Sequence, residues 1–327
     1  MNEEQRSTRA GQVALAGLPN AGKSTLLNAL VGEKLSIVTS KAQTTREVVT
    51  GLLTADGVQA VLVDTPGLLE PRYTLQRAMY DTALGVLRES DLVVLLLDGT
   101  RPAELPPPEA VQELRRRADS MIVLINKIDV ADRAAVERLS AWSEEVLGVE
   151  AREVSAVTGA GVAALWAEIA GRLPESPYYY PEDELAVQPV RFFVAERIRE
   201  TIFERYEREV PYSAIVRVDE YREGSVPIRI RATVYVERDT QKAIIIGKGG
   251  SGIRELGRRS REKVEAFLGE RVYLDLRVKT LARWRARVDL LKYLGYRLPA
   301  SLRDGDPGPR GRLSGGAGRR RNRKRGE

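Results

Sequence analysis

Residues 17–24 read GLPNAGKS, and residues 243–256 read AIIIGKGGSGIREL. Each sets glycines and a lysine behind an apolar run, and each has the chemistry to meet phosphate. Glycine permits the turns that aim backbone N–H groups inward, and lysine adds a compact positive charge. The spacings differ. The first fits G-x-x-x-x-G-K-[ST], with Gly17, Gly22, Lys23 and Ser24 at the defining positions. Leu18, Pro19, Asn20 and Ala21 fill the loop, and Thr25 follows it. In this pattern the loop amides and a helix N-terminus receive a chain of phosphates. Lys23 reaches the β- and γ-phosphates, and the Ser24 hydroxyl ligates Mg2+. The second loop has no Ser or Thr after its Gly-Lys pair and does not fit that spacing.

Further segments narrow the nucleotide. DTPG at 64–67 ends the apolar run AVLVD. Asp64 is placed there to hold Mg2+ through water, and the Gly67 amide to touch the γ-phosphate; Thr65 and Pro66 lie between them. NKID at 126–129 follows MIVLI. The Asp129 carboxylate can accept from the N1 and N2 hydrogens of guanine, a donor pair that adenine lacks. Asn126 braces the loop and the base, the Lys127 stem covers the base, and Ile128 separates Lys127 from Asp129. Ser155 and Ala156, in EVSAVTG, can present a backbone amide to guanine O6. QTTRE at 43–47 supplies a threonine for Mg2+ and the γ-phosphate. The sequence leaves open whether Thr44 or Thr45 does so. Both join Lys23 and Gly67 in the catalytic set, and Thr45 is taken with Ser24 and Asp64 as the metal set. The phosphate loop, DTPG, NKID and the Ser155–Ala156 segment, in this order and each at a strand's C-terminal end, specify GTP or GDP with Mg2+. Leu68 follows DxxG where many such enzymes place a glutamine, and its side chain cannot polarise water. Intrinsic hydrolysis is therefore expected to be slow or to use another device.

The second loop fits I-I-G-x-x-G-x-x-I, the KH pattern, which clamps the backbone of single-stranded nucleic acid. Its candidate RNA contacts are Ile246, Gly247, Lys248, Gly249, Gly250, Ile253 and Arg254. The glycines allow close approach of the sugar–phosphate chain, Lys248 neutralises a phosphate, and the isoleucines form core and a base-facing groove. Arg258, Arg259 and Arg261 follow on the same predicted helix, where some face the strand and others solvent. Trp284 among arginines is either a stacking platform or core of the last helix.

Charge supports that division. The chain carries +6 overall. Residues 241–300 contribute +9, residues 301–327 contribute +6, and the first 240 residues contribute −9. A basic back half behind an acidic front half points to a polyanion met only by the back. The absence of cysteine and histidine among 327 residues excludes disulfides, thiolate nucleophiles and an imidazole general base. No run of about 18 uncharged apolar residues suggests a membrane span. The polar start, MNEEQRSTRAGQ, does not resemble a secretory signal, and a cytoplasmic location is expected.

These motifs need elements to position them. QVALAG, AVLVD, LVVLLLD and MIVLIN are short Val/Ile/Leu-rich runs suited to strands buried on both faces. Amphipathic segments such as KSTLLNALVG and AAVERLSAWSEEVLG alternate with them. The pattern is an α/β P-loop GTPase domain with a mostly parallel sheet, over 1–173. Residues 174–189, PESPYYYPEDELAVQP, read as a linker. A helix, a hairpin, a helix pair around the glycine loop, a strand and a final helix to about Leu298 follow. That order is an α+β domain of type II KH topology over 190–300. Residues 301–327 read as a basic, disordered tail.

The GTPase segments are those of translation-factor-class GTPases. Together with PYSAIVRVDE, IIGKGG and the late LKYLGY, the chain resembles the Era family of bacterial ribosome-assembly GTPases over about residues 10–298. The resemblance implies a monomer that binds the single-stranded 3′ end of small-subunit (16S) rRNA, with the GTP state favouring capture. It implies a role in small-subunit maturation and a loose peripheral membrane association. In several GTPases of the Era and EngA/TrmE group that this chain resembles, an asparagine at the position of Asn20 helps hold K+ against the phosphates; turn chemistry is the other role open to Asn20. The tail departs from the usual pattern. A P-loop nucleoside-triphosphatase acting on a small molecule or at the membrane surface is the alternative.

Overall fold

The computed structural model describes residues 8–39, 41, 44–296 and 298. The predicted tail therefore lies outside the described residues. Strands β1 (Arg9–Gly17), β2 (Val49–Ala55), β3 (Val58–Asp64), β4 (Leu92–Asp98), β5 (Met121–Asn126) and β6 (Ala151–Glu153) form one sheet. Their order is β2-β3-β1-β4-β5-β6, with only β2 antiparallel to its neighbour. Every residue of β3, β4 and β5 is buried, which is why their sequences are mainly apolar rather than alternating, with Gln59 in β3 and the terminal Asp64, Asp98 and Asn126 as the polar members. Helices α1 (Lys23–Val31) and α5 (Val162–Arg172) cover one face. Helices α2 (Thr74–Glu89), α3 (Pro108–Arg115) and α4 (Arg133–Trp142) cover the other. Val13 and Leu15 of β1 enter the first core while Ala14 and Ala16 enter the second. The sheet leaves its C-terminal strand ends free, and all the nucleotide motifs sit there.

The edge strands β2 and β6 have no such apolar signature. β6 is three residues long, and β2 carries Gly51, where a Cβ would approach Leu27 and Val31 side chains at 2.9 Å. Residues 174–189 do not hang free. Gln188 accepts from the Thr50 amide at 3.1 Å and donates to Val48 O at 3.0 Å. Gln59 accepts from the Tyr179 and Tyr180 amides at 2.8 and 3.0 Å. The segment runs along the β2–β3 edge as an irregular cover.

The second unit contains α6 (Val190–Arg205), α7 (Val210–Ser213), β7 (Ile215–Arg222), β8 (Ile228–Val236), α8 (Asp239–Ile246), α9 (Ser251–Leu268), β9 (Val272–Thr280) and α10 (Val288–Tyr293). Its sheet runs β7-β8-β9, antiparallel then parallel, with one core against the helices. The expected final helix to Leu298 is shorter, ending at Tyr293. Arg283 at φ 54° and Gly295 at φ 96° interrupt the helical path on either side of it. Trp284 has no exposed surface; its indole donates to Ser213 O at 2.8 Å and it stacks on Tyr296. Its role is packing, not base stacking. Among the described residues no helix is long and apolar enough to cross a membrane.

Candidate functional site

A cleft of about 360 Å³ opens over the strand ends, lined by Pro19, Asn20, Gly22, Lys23, Ser24 and Thr25 on one side. Thr44, Thr45, Gly67, Arg101 and Lys127 are among the residues that close it. Gly22 has φ 101°, a conformation that favours glycine, and caps α1. Lys23 folds back to donate to Gly17 O and Leu18 O at 3.1 and 2.9 Å. Burial pulls its ammonium down to about 8 against the opposing charge of Asp64. The ammonium is thus held at the loop without a full counter-charge, as suits a receptor of phosphate.

Ser24, Thr45 and Asp64 converge. Ser24 Oγ donates to Asp64 Oδ2 at 2.7 Å, Thr45 Oγ1 does so at 3.3 Å, and the two hydroxyls lie 3.0 Å apart. Asp64 has no exposed surface, and among the described residues its Oδ1 has no hydrogen-bond partner. Burial raises its pKa, while Lys23 and the Ser24 hydroxyl pull the other way. Hard oxygen donors around an under-compensated carboxylate fit Mg2+. Thr44 lines the cleft but makes none of these contacts. Ala21, Thr65, Pro66 and Leu68 are buried behind the cleft wall, Thr65 through a bond to Leu15 O at 2.8 Å. Leu68 belongs to the core against α2 and α3, so its aliphatic type follows from packing.

On the base side, Asn126 Nδ2 donates to Ala21 O at 2.8 Å, and its Oδ1 accepts from the Ala156 amide at 3.0 Å. It latches three loops together. Asp129 accepts from Ser155 Oγ at 2.6 Å, and Ile128 N donates to Val154 O at 3.4 Å. The Ser155 amide donates to Ala160 O at 2.9 Å. The Ser155 and Ala156 amides are thus both engaged within the protein here, and the Ser155 hydroxyl meets Asp129. Lys127 donates to Asp98 at 2.6 Å, a partner outside every sequence motif.

The second glycine loop joins α8 to α9. Gly247 has φ 71° and ψ 171°, a region open essentially only to glycine. Gly249 and Gly250 also have positive φ, and Lys248 projects exposed. Ile246 and Ile253 pack partly into the core, while Arg254 borders a groove of about 270 Å³. That groove lies between α9 and the edge strand β9, lined by Ile253, Arg258, Arg261, Tyr273 and Leu276 among others. Arg258 and Arg259 are both paired with Glu255. Gly252 escaped the motif reading; a Cβ there would stand 2.5 Å from Ile245 O, so it lets the two helices meet. Its signal was the fourth glycine in GKGGSG. Tyr273 and Leu276 sit on a strand whose groove-facing edge only the fold reveals.

The two sites are physically linked. Lys41 Nζ donates to Phe203 O at 2.5 Å and Tyr206 O at 2.7 Å, at the C-terminal end of α6. Arg46 donates to Pro211 O, Tyr212 O and Ala214 O at 3.0, 2.9 and 2.7 Å, at the end of α7. Both cations meet the partly negative end of a helix or helical turn. They bracket Thr45. Leu75, Ala78 and Met79 of α2 share one core cluster with Ile215, Tyr235, Trp284, Leu291 and Tyr296. Glu200 of α6 binds Lys34 at 2.7 Å and Lys263 of α9 at 2.9 Å.

Known proteins share this organisation. The family described as 50S ribosome-binding GTPase matches residues 12–127, and the KH domain family matches residues 209–285. GTPase Era of Sinorhizobium medicae is 40 % identical over 296 residues, covering 89 % of this chain and 95 % of that protein. GTPase Era of a Geobacter species is 41 % identical over 298 residues, covering 89 % and 99 %. A crystal structure of Era with MgGDPNP and nucleotides 1506–1542 of 16S ribosomal RNA superposes with a TM-score of 0.84 at 34 % identity, over 89 % of this chain and all of that one. An Aquifex aeolicus Era variant bound to GDP·AlF4− gives 0.80 at 33 %, with the same coverage. Two matched domains in one order and about 40 % identity over some nine-tenths of the chain lead to one conclusion: the chain belongs to the Era family of GTPases.

Proposed function

We propose that this GTPase is a nucleotide-gated clamp on the single-stranded 3′ end of small-subunit rRNA, acting in assembly of the small ribosomal subunit. The observation that carries it is the pair of cations flanking Thr45 and capping α6 and α7. When the γ-phosphate draws Thr45 inward, Lys41 and Arg46 travel with it, and the KH unit is held in one orientation. Hydrolysis releases the segment, and the clamp loosens. The KH unit meets RNA through the Gly247–Gly250 turn and the α9–β9 groove. Lys248 neutralises a phosphate, and the free edge of β9 offers backbone groups to bases.

Affinity for a short RNA copying the 16S 3′ end tests this, at fixed salt, with a GTP analogue and with GDP. The expected result is binding at least about tenfold tighter with the analogue, lost in Gly247→Asp/Lys248→Asp. Equal affinity in both states would remove the gating. Survival of binding in the double variant would move the RNA contact off the glycine turn.

Ser24, Asp64 and Thr45 are the residues that would hold Mg2+. Held there, it would supply charge neutralisation to the bound phosphates. Lys23 binds the same phosphates, and Gly67 lets the backbone approach the γ-phosphate beside Pro19. Leu68 takes no part in orienting water. Asn20, held at φ 66° on the cleft wall, is the candidate K+ ligand. Hydrolysis rates across Mg2+ concentration, in K+ and in Na+, check both cations. Thr45→Ala is expected to need about tenfold more Mg2+, and Thr44→Ala to need no more than wild type. Wild type should run faster in K+; equal rates in the two salts would remove that ion from the site.

A further inference from the structure

Asp98 ends β4 as a buried acid, 7 % exposed, directly beside the base side of the cleft. Its cross-strand partner in the sheet is Asn126, so Lys127 leaves β5 one residue further on. The Asp98 carboxylate accepts Lys127 Nζ at 2.6 Å through Oδ2. Its other oxygen accepts the Thr100 amide at 2.9 Å and the Thr100 hydroxyl at 2.6 Å. Those bonds prevail over burial, and the carboxyl stays below its usual range. Lys127 itself sits at φ 66°, an uncommon conformation for a side-chain-bearing residue. Its side chain is about one-third exposed and lines the cleft, so the stem rather than the charge faces incoming nucleotide.

A lysine stem has four rotatable bonds. Left free, its ordering upon a bound base costs rotamer entropy. Anchored at its far end before the nucleotide arrives, it is already laid in place. We infer that Asp98 is a positioning residue for the guanine site: it pins the Lys127 ammonium so that the lysine stem forms a ready-made wall for the base. The inference rests on reading NKID as the guanine-binding segment. A purely structural role, capping the Thr100 turn, is the competing account.

A coupled variant series on the full-length protein separates the two, using a fluorescent GDP analogue for affinity and dissociation rate, with GTP hydrolysis alongside. Asp98→Asn should weaken GDP binding about tenfold, mainly through faster dissociation, and the hydrolysis defect should fall mainly on KM. Lys127→Met should do much the same. The double variant should be no weaker than Lys127→Met alone, because Asp98 acts through Lys127. Thr100→Val, which removes only the hydroxyl bond, should bind like wild type. If Asp98→Asn proves insoluble, Asp98→Ser serves: it retains a small acceptor for the Thr100 amide but cannot hold an ammonium. Additive losses in the double variant, or wild-type affinity in Asp98→Asn, overturn the inference. A wild-type protein that binds ATP as well as GTP would overturn the guanine reading instead.

Discussion

Arg46→Ala should bring the ratio of RNA affinities in the GTP-analogue and GDP states down to about one. The guanidinium satisfies three carbonyls at the α7 turn and lies over the Trp284 ring, 5.7 Å from its centroid. Alanine supplies no donor, and lysine has one nitrogen where the guanidinium has two on these carbonyls. Hydrogen bonds from a charged donor contribute about 1.5–3 kcal/mol each, and carbonyls left dry cost more. Even after water reaches part of the gap, the docked orientation is expected to lose about 3 kcal/mol, roughly a 100-fold shift in its equilibrium. The G-domain cleft keeps its phosphate loop and guanine segment, and the KH groove keeps its lining, so each half retains its ligand. What disappears is communication. Titrations of the 16S 3′-end RNA in both nucleotide states check this, with solution scattering to follow the relative position of the halves. An unchanged affinity ratio in Arg46→Ala would refute a gate that runs through this contact.

Gly22→Ala should weaken GTP and GDP binding at least about 100-fold, or about 2.7 kcal/mol. Part of the cause is conformational, because φ at Gly22 is 101°. The larger part is steric: an added Cβ would lie 2.1 Å from Asn126 Nδ2. Asn126 has nowhere to go without releasing Ala21 O or the Ala156 amide. One methyl group therefore disturbs the phosphate loop, the NKID segment and the Ser155 loop together. Gly32→Ala is the control. It also has positive φ, 79°, but its Cβ would meet nothing within 4 Å. It should cost about 1 kcal/mol of fold stability and leave nucleotide affinity alone. Calorimetric titration with GDP distinguishes them, and affinity within threefold of wild type in Gly22→Ala would contradict the steric account.

Much of this molecule is legible along the chain because its causes are local. A phosphate loop needs glycines, a lysine and a hydroxyl within eight residues, and a doubly buried strand needs an unbroken apolar run. GLPNAGKS, AVLVD, LVVLLLD, MIVLIN and IIGKGG carry those causes in themselves, so the P-loop sheet, the GTPase chemistry and the KH unit follow from them. Edge strands β2 and β6 did not announce themselves, since one is interrupted by Gly51 and the other is three residues long. Only the tertiary structure set Thr45, and not Thr44, against Ser24 and Asp64, joined Asp98 to Lys127, and buried Trp284 in the core. Arg46 is the plainest case, because its partners are backbone carbonyls 165–168 residues downstream. A carbonyl is the same at every position, so no residue type marks it as a partner. Its availability is decided by where a helical turn ends and what packs beside it, and that is a property of the assembled fold.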